Sequence, residues 1–326
     1  MKVIAVIACY KTSKYAPMVV RDTLPYVDKV ICVDDCCPEN TGSKIKSFVN
    51  DERVVYKFHK FNRGVGAAMK TGIFAALEMN PNIIVKIDSD GQMDPKLIPM
   101  LIEPIVDDLA DVVKGNRFTD PSVRLKMPFF RFIGNLGISF ITKLSTGYWE
   151  LFDPTNGFIA FNTNIRDKIK FHKLDNRYFF ESDFLFRCSL NDLIISEMPM
   201  EPIYIKENTS SMNVFSEIFK YSYKNMKVFF KRMLYQYFIL DFNIGSLYLL
   251  VGIPTLIFAF VLGIRISYLV INGLGTVQLI QTIFLASTII SAQSIISFLY
   301  YDVTQKPMIK IMKSLSRNKV KKNLPN

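Results

Sequence analysis

Short apolar runs alternate with mixed, helix-like segments through the first third of the chain. Strands are predicted at Val3–Ala8, Val30–Val33, Val54–Lys57, Ile83–Ile87 and Asp111–Val113. Helices are predicted near Met18–Thr23, Ser43–Asn50, Val65–Glu78 and Leu97–Leu109. Runs of this length bounded by turn residues suit buried strands. Strands alternating with helices imply an α/β fold with a mostly parallel, doubly wound sheet. From Arg117 to Ile205 the order is looser. A helix is expected over Phe132–Leu144 and strands over Phe158–Phe161 and Leu193–Met198, extending the sheet and covering a site.

The pattern then changes. Over Val214–Phe238, Phe215, Ile218, Phe219, Met226, Phe229, Phe230, Met233 and Phe238 recur on one helical face, with Glu217, Lys220, Lys224, Lys227 and Lys231 on another. This is the pattern of a basic amphipathic helix lying in a membrane interface. Two long uncharged stretches follow, with spans expected near Ile244–Ile264 and Val277–Tyr300. Each exceeds the roughly 20 apolar residues that a bilayer core requires. Ser287, Ser291, Gln293, Ser294 and Ser297 give the second span a polar stripe, suited to packing on the first span or on a second copy of the chain. The expected layout is a domain over residues 1–210, an amphipathic region over 211–241, a two-span hairpin over 242–301 and a basic tail over 302–326.

Charge refines this layout. The chain has 326 residues, half of them hydrophobic, and a formal net charge of +11. Ample apolar area argues against disorder. A basic balance points to nucleic acid, anionic lipid or a phosphorylated substrate. Here Lys306, Lys310, Lys313, Arg317, Lys319, Lys321 and Lys322 follow the second span, and Lys224, Lys227, Lys231 and Arg232 precede the first. Lysines flanking spans meet anionic headgroups, so nucleic acid is not expected as a partner. The positive-inside rule puts the N-terminal domain and the tail in the cytoplasm. The five cysteines have no zinc spacing and are expected reduced. Val3–Ile7 is too short for a secretory signal core.

Candidate chemistry clusters at strand ends. The run Ile83–Ile87 stops in Asp88, Asp90 and Asp94, broken by Gly91 and Pro95. Alternation in an extended chain would set Asp88 and Asp90 on one side, about 7 Å apart. Two such carboxylates suit one hard divalent cation, although a solvated turn with an Asp cap is the plain alternative. Acids after a buried strand lie where open α/β sheets bind ligands. The strand Val30–Val33 also ends in acid, Asp34-Asp35. Gly64 and Gly66 open a helix whose amides could meet phosphate.

Taken in order, Asp34-Asp35, the Asn62…Gly64…Gly66…Ala68 pattern and Asp88-Ser-Asp90-Gly-Gln92-Met-Asp94-Pro95 resemble the family 2 glycosyltransferases of GT-A fold. Gly115-Asn-Arg117, Asp153-Pro-Thr-Asn-Gly157-Phe158 and Phe180-Glu181-Ser-Asp183 resemble that family's acceptor-side motifs. With the amphipathic helix and two spans, the layout looks like the polyprenyl-phosphate sugar transferases of the dolichyl-phosphate mannose synthase group. Ala8-Cys-Tyr10, Asp34-Asp-Cys-Cys37 and Val65 depart from the usual family residues, all on the nucleotide side.

The resemblance implies an inverting, metal-dependent transfer from a nucleotide-diphosphate sugar to a polyprenyl phosphate at the cytosolic membrane face. Asp88, Asp90 and Gln92 would hold Mg²⁺ or Mn²⁺. Ala8, Tyr10, Asp34, Asp35, Gly64, Gly66 and Asp88 would line the donor, with Asp34 and Asp35 accepting from base or ribose. Arg117 and Arg131 would clamp the acceptor phosphate. Asp153 is the first candidate for activating an acceptor, or for positioning the acceptor or a basic side chain. Glu181 and Asp183 are the alternative base or a structural pair. Trp149, Tyr148 and Phe152 could stack a sugar or fill the core. His59 and His172 match no catalytic spacing. Two other readings stay open: extension of a lipid-linked glycan through a sugar hydroxyl, and a non-catalytic GT-A-like membrane scaffold.

Overall fold

The computed structural model describes residues 1–119, 129–201, 203, 214–275, 277–305 and 308–309, with side-chain surroundings left aside at 129–133, 135, 214–218 and 308–309. Residues 1–229, with the segment from 307, form one compact unit, and residues 230–306 form another.

The first unit is built on a sheet of order β3-β2-β1-β4-β6-β5-β7-β8. The strands are β1 Val3–Cys9, β2 Lys29–Asp34, β3 Val54–Phe58, β4 Ile83–Lys86, β5 Val112–Asn116, β6 Ile159–Asn162, β7 Ile195–Pro199 and β8 Met308–Ile309. Only β6 runs against its neighbours, β4 and β5. Helices α1 Ala16–Thr23, α2 Thr41–Phe48, α3 Val65–Leu77, α4 Ile98–Val106, α5 Phe129–Thr146 and α6 Phe180–Leu190 connect and flank the strands.

Strand alternation divides the core in two. Val3, Ala5, Ile7, Val30 and Cys32 pack with Ala16, Val20, Ile45, Ile98 and Leu101. Ile4, Val6, Ile31 and Val33 pack on the other face with Ala68, Met69, Ile73, Phe180 and Phe184. A strand with both faces covered reads as a continuous apolar run, which is why the strands were visible in the sequence. Helix α6 was not expected: alternating charge and small polar residues in Glu-Ser-Asp hide its apolar stripe. Strand β8 lies in the basic tail, and the rest of that tail from Lys310 is outside the described residues.

Helix α7, Val214–Leu234, is docked on the first unit by polar groups. Tyr221 Oη meets Ser182 Oγ at 2.5 Å and Thr142 Oγ1 at 3.1 Å. Ser145 Oγ donates to Asn225 Oδ1 at 2.6 Å, and Lys224 Nζ reaches Asp175 at 2.6 Å. The opposite face leaves Phe219, Tyr223, Met226 and Phe230 exposed between Lys220, Lys227 and Lys231. An exposed aromatic face laced with lysine is what an interfacial helix presents.

The second unit contains α8 Ile244–Ile271 and α9 Gln278–Gln305, both long and apolar enough to cross a membrane. Each exceeds the span expected from sequence by several residues at its C-terminal end. A Cβ on Gly252 would lie 3.1 Å from Ser294 Cβ, so small residues let the two helices approach. Ser287 and Ser291 are buried, with their hydroxyls bonded back to Ile283 and Thr288 carbonyls. Arg232, Tyr237 and Asp302 are fully buried together, with Arg232 bidentate on Asp302 at 2.6 and 2.9 Å.

Candidate active site

One edge of the sheet gathers the candidate residues. The carboxyl ends of β1, β2, β4, β5 and β7 lie there, together with the start of the reversed strand β6. Strand β4 stops at Lys86, and residues 89 and 90 form a turn. Asp88 and Asp90 therefore belong to a loop, and strand alternation does not set their relation. They remain electrostatically coupled: burial, and then Asp88, raise the pKa of Asp90 above the ordinary carboxylate value. Gln92 N donates to Asp90 Oδ1 at 3.0 Å, which shapes the loop. Asp94 accepts from Lys96 N at 3.0 Å and caps the following turn, the plain role open to it from sequence.

Among the described residues no three His, Cys, Asp or Glu groups stand close enough to hold a metal. Asp88 and Asp90 still fit a divalent cation, because two adjacent carboxylates that repel each other gain from one between them. They make half a site, which oxygens from a ligand would complete.

The nucleotide-side acids lie within loop hydrogen-bond networks. Asp34 is buried and accepts from Cys37 N at 2.7 Å and Gly42 N at 2.6 Å. Asp35 is buried and accepts from Arg63 N at 2.9 Å and Gly64 N at 2.7 Å, and its Oδ1 lies 2.6 Å from His59 Nδ1. Both brace the loops at the carboxyl end of β2. Gly64 and Gly66 lie against a second loop. A Cβ at either would strike the backbone of residues 175–177, and Ala67 N donates to Asn176 O at 2.9 Å. These glycines admit another loop of the same chain to the start of α3. Ala8 O receives Ser89 Oγ at 2.8 Å, so β1 supports the acidic loop, while Tyr10 is exposed beyond it.

On the other side, Arg117 follows β5 and Asp153 lies in the loop before β6. Arg117 Nε donates to Asp153 Oδ2 at 2.7 Å and its terminal nitrogen to Oδ1 at 2.9 Å. Asp153 is 0% exposed. Both carboxylate oxygens are engaged by Arg117, the arrangement expected if Asp153 positions a basic side chain. Of the α6 pair, Asp183 accepts from Asp175 N at 2.9 Å and lies beside Arg187, and burial raises its pKa. Glu181 instead faces the site, 3.1 Å from Lys86 Nζ. Arg131 lies on α5, with its side chain outside the described residues. Tyr148 is core, its hydroxyl on Leu193 O at 2.7 Å, whereas Phe152 is partly exposed under Lys143.

Three buried charges escaped the sequence reading. Lys86 and Lys114 stand on the two sides of Ile159, their shared cross-strand partner. Burial pulls the Lys114 amine down to about 8, against the pull of Glu181 and Asp153. Its Nζ donates to Asn156 O at 2.6 Å. A lysine inside an apolar strand run, as in Val85-Lys86-Ile87 or Val113-Lys114, was the available signal. Glu197 accepts from Phe152 N at 2.8 Å, Asp153 N at 2.9 Å and Asn116 Nδ2 at 2.8 Å.

Burial pushes Glu197 up to about 7, despite those backbone donors. A folded-state pKa above the unfolded one adds stability at low pH that is lost as pH rises through the folded value. Unfolding should therefore become easier between about pH 4.5 and pH 7, by up to roughly 3 kcal/mol from this group. Asp90 and Asp183 are raised in the same sense. Chemical denaturation across that range should show a shallower slope in Glu197→Gln than in the parent; an unchanged slope would remove Glu197 as its source.

The profile of glycosyl transferase family 2 matches residues 4–170, just over half of the chain. The chain belongs to glycosyl transferase family 2. It is a glycosyltransferase, and the scaffold reading gives way. It is 32% identical over 213 residues to the UDP-N-acetylglucosamine–dolichyl-phosphate N-acetylglucosaminyltransferase of Methanococcus voltae, covering 61% of this chain and 84% of that one. It is 27% identical over 205 residues to the undecaprenyl-phosphate mannosyltransferase of Micrococcus luteus, covering 61% and 83%. The fold is also that of glucosyl-3-phosphoglycerate synthase of Mycobacterium tuberculosis, solved with Mn²⁺ and UDP, with a TM-score of 0.52 at 14% identity over 71% of this chain and 79% of that one. The GT-A fold and the family 2 assignment expected from the motifs are thereby established.

Proposed function

We propose that this family 2 enzyme transfers a sugar, with inversion, from a nucleotide-diphosphate sugar to a polyprenyl phosphate at a membrane surface. The carrying observation is the locked Asp153–Arg117 pair. It engages the leading candidate base with a guanidinium at the end of β5, which supports an acceptor that needs no base. A phosphate acceptor needs little help from a base, because its second pKa is about 6. A sugar hydroxyl would need one. The named relatives that act on dolichyl or undecaprenyl phosphate support the same acceptor class.

Asp88 and Asp90, with the Gln92 amide, would hold Mg²⁺ or Mn²⁺, which when bound supplies positive charge to a diphosphate leaving group. Arg117, oriented by Asp153, would bind the acceptor phosphate, with Arg131 as its proposed partner. Glu181 and Lys86 would hold the acidic loop in shape. Membrane attachment would come from α8 and α9 and from the exposed face of α7. Lysines on both sides of the hairpin in the sequence support a cytoplasmic catalytic domain and tail.

The test is an assay of purified protein with labelled nucleotide sugars and undecaprenyl phosphate. Acid-labile label in the lipid product is expected. Acid-stable label on an added glycan acceptor, with none on the lipid phosphate, would favour the hydroxyl reading.

A further inference from the structure

We infer that Lys86 is a built-in counter-ion of the metal-side carboxylates, a positioning residue that makes divalent-ion binding depend on the donor's diphosphate. The inference rests on the proposed metal role of Asp88 and Asp90. Lys86 ends β4 with its side chain 2% exposed, amid the apolar packing of α3 and α6. Its Nζ reaches Asp88 Oδ1 at 2.5 Å, Glu181 Oε1 at 3.1 Å and Gly157 O at 3.1 Å. The ammonium donates to Asp88 and Gly157 and is ion-paired with Glu181, so its charge is directed at the protein's own groups. Burial opposes its charge, but Asp88 and Glu181 together hold its pKa above the ordinary lysine value.

Gly157 makes this arrangement possible. A Cβ there would overlap both Asp88 Oδ2 and Lys86 Nζ. The strand end, the loop before β6 and the first turn of α6 therefore close around one nitrogen. This has a chemical consequence for Asp88. One of its oxygens is committed to a fixed positive charge, and its field on a nearby cation is partly cancelled. A free divalent ion meets a weak site made of Asp90 and the other oxygen of Asp88. A nucleoside diphosphate supplies the missing oxygens and negative charge, so ion and diphosphate bind together. Without the Lys86 ammonium the same acids would attract the ion unaided.

Mn²⁺ binding to the full-length protein in detergent, followed by the free-ion paramagnetic resonance signal, tests this directly. The parent should bind Mn²⁺ weakly alone and at least tenfold more tightly with UDP or GDP. Lys86→Met should tighten binding of Mn²⁺ alone by at least tenfold and lose most of the diphosphate dependence, while Lys86→Arg should behave as the parent. The variant Lys86→Met/Glu181→Gln removes both members of the pair, leaves no unpaired Glu181, and should tighten Mn²⁺ binding likewise. Either folded variant with parental or weaker affinity for Mn²⁺ alone would overturn the inference. So would failure of the double variant to fold, because Lys86 would then be holding the structure together and not tuning the acids. Failure of the parent to bind Mn²⁺ under any of these conditions is a separate result, and it would remove the metal reading itself.

Discussion

Asp90→Ala should lower kcat/KM by about 10²- to 10³-fold, the usual loss when a group that stabilises transition-state charge is removed. Asp90 is held by the Gln92 amide in a loop that Asp88 shares. Burial and the neighbouring carboxylate raise its pKa, so the ionised pair is costly without a cation. Removing Asp90 relieves that repulsion, and the protein should fold at least as well as the parent. Activity and stability should therefore separate: transfer is lost while the thermal midpoint holds or rises. Steady-state kinetics with saturating divalent ion, beside a thermal melt, measures both. A purified Asp90→Ala enzyme working at the parental rate would show that the loop is only a capped turn.

The second large effect falls on Asp153, and here stability should move with activity. Asp153 is fully buried and bidentate with Arg117, whose side chain is about one-third exposed. Breaking a buried pair leaves an uncompensated charge at a cost of about 3–5 kcal/mol; the partial exposure of Arg117 favours the lower end. For a domain of this size about 3 kcal/mol lowers the melting temperature by roughly 6–12 °C. Asp153→Ala should show that fall together with a raised KM for the lipid acceptor, because Arg117 loses its fixed direction. Arg117→Ala should resemble it, and the double variant should cost little more than either single change, since the two act as a unit. A general base would behave otherwise. Asp153→Asn would then lose kcat and the acidic limb of its pH profile at an unchanged melting temperature, and that result would return the hydroxyl acceptor to first place.

The two predictions separate groups that looked alike in the sequence. Asp34, Asp35, Asp88, Asp90 and Asp153 all follow or precede apolar runs in motif-like settings. Asp34, Asp35 and Asp153 prove buried and bonded to the protein's own donors. Asp88 and Asp90 keep partial exposure. Exposure and partner choice, not residue type, distinguish a loop-building acid from one that can meet a ligand.

The elements of this protein were determined by its sequence because they depend on local physics. Two-sided burial turns β1, β2 and β4 into mostly apolar runs. Long, almost uncharged apolar stretches mark α8 and α9, so both could be placed to within a turn or two. The ordered acidic and glycine motifs were enough to point to family 2. Only the tertiary structure decided what those motifs touch. Lys86 meets Glu181, Arg117 meets Asp153, and Gly66 meets the loop at Asp175 across long stretches of chain. No periodicity encodes such meetings, because they depend on how the sheet brings strand ends together. A buried charge must find its partner wherever the fold puts one, and here that requirement pairs Asp153 with Arg117 and sets Lys86 beside Asp88 and Glu181.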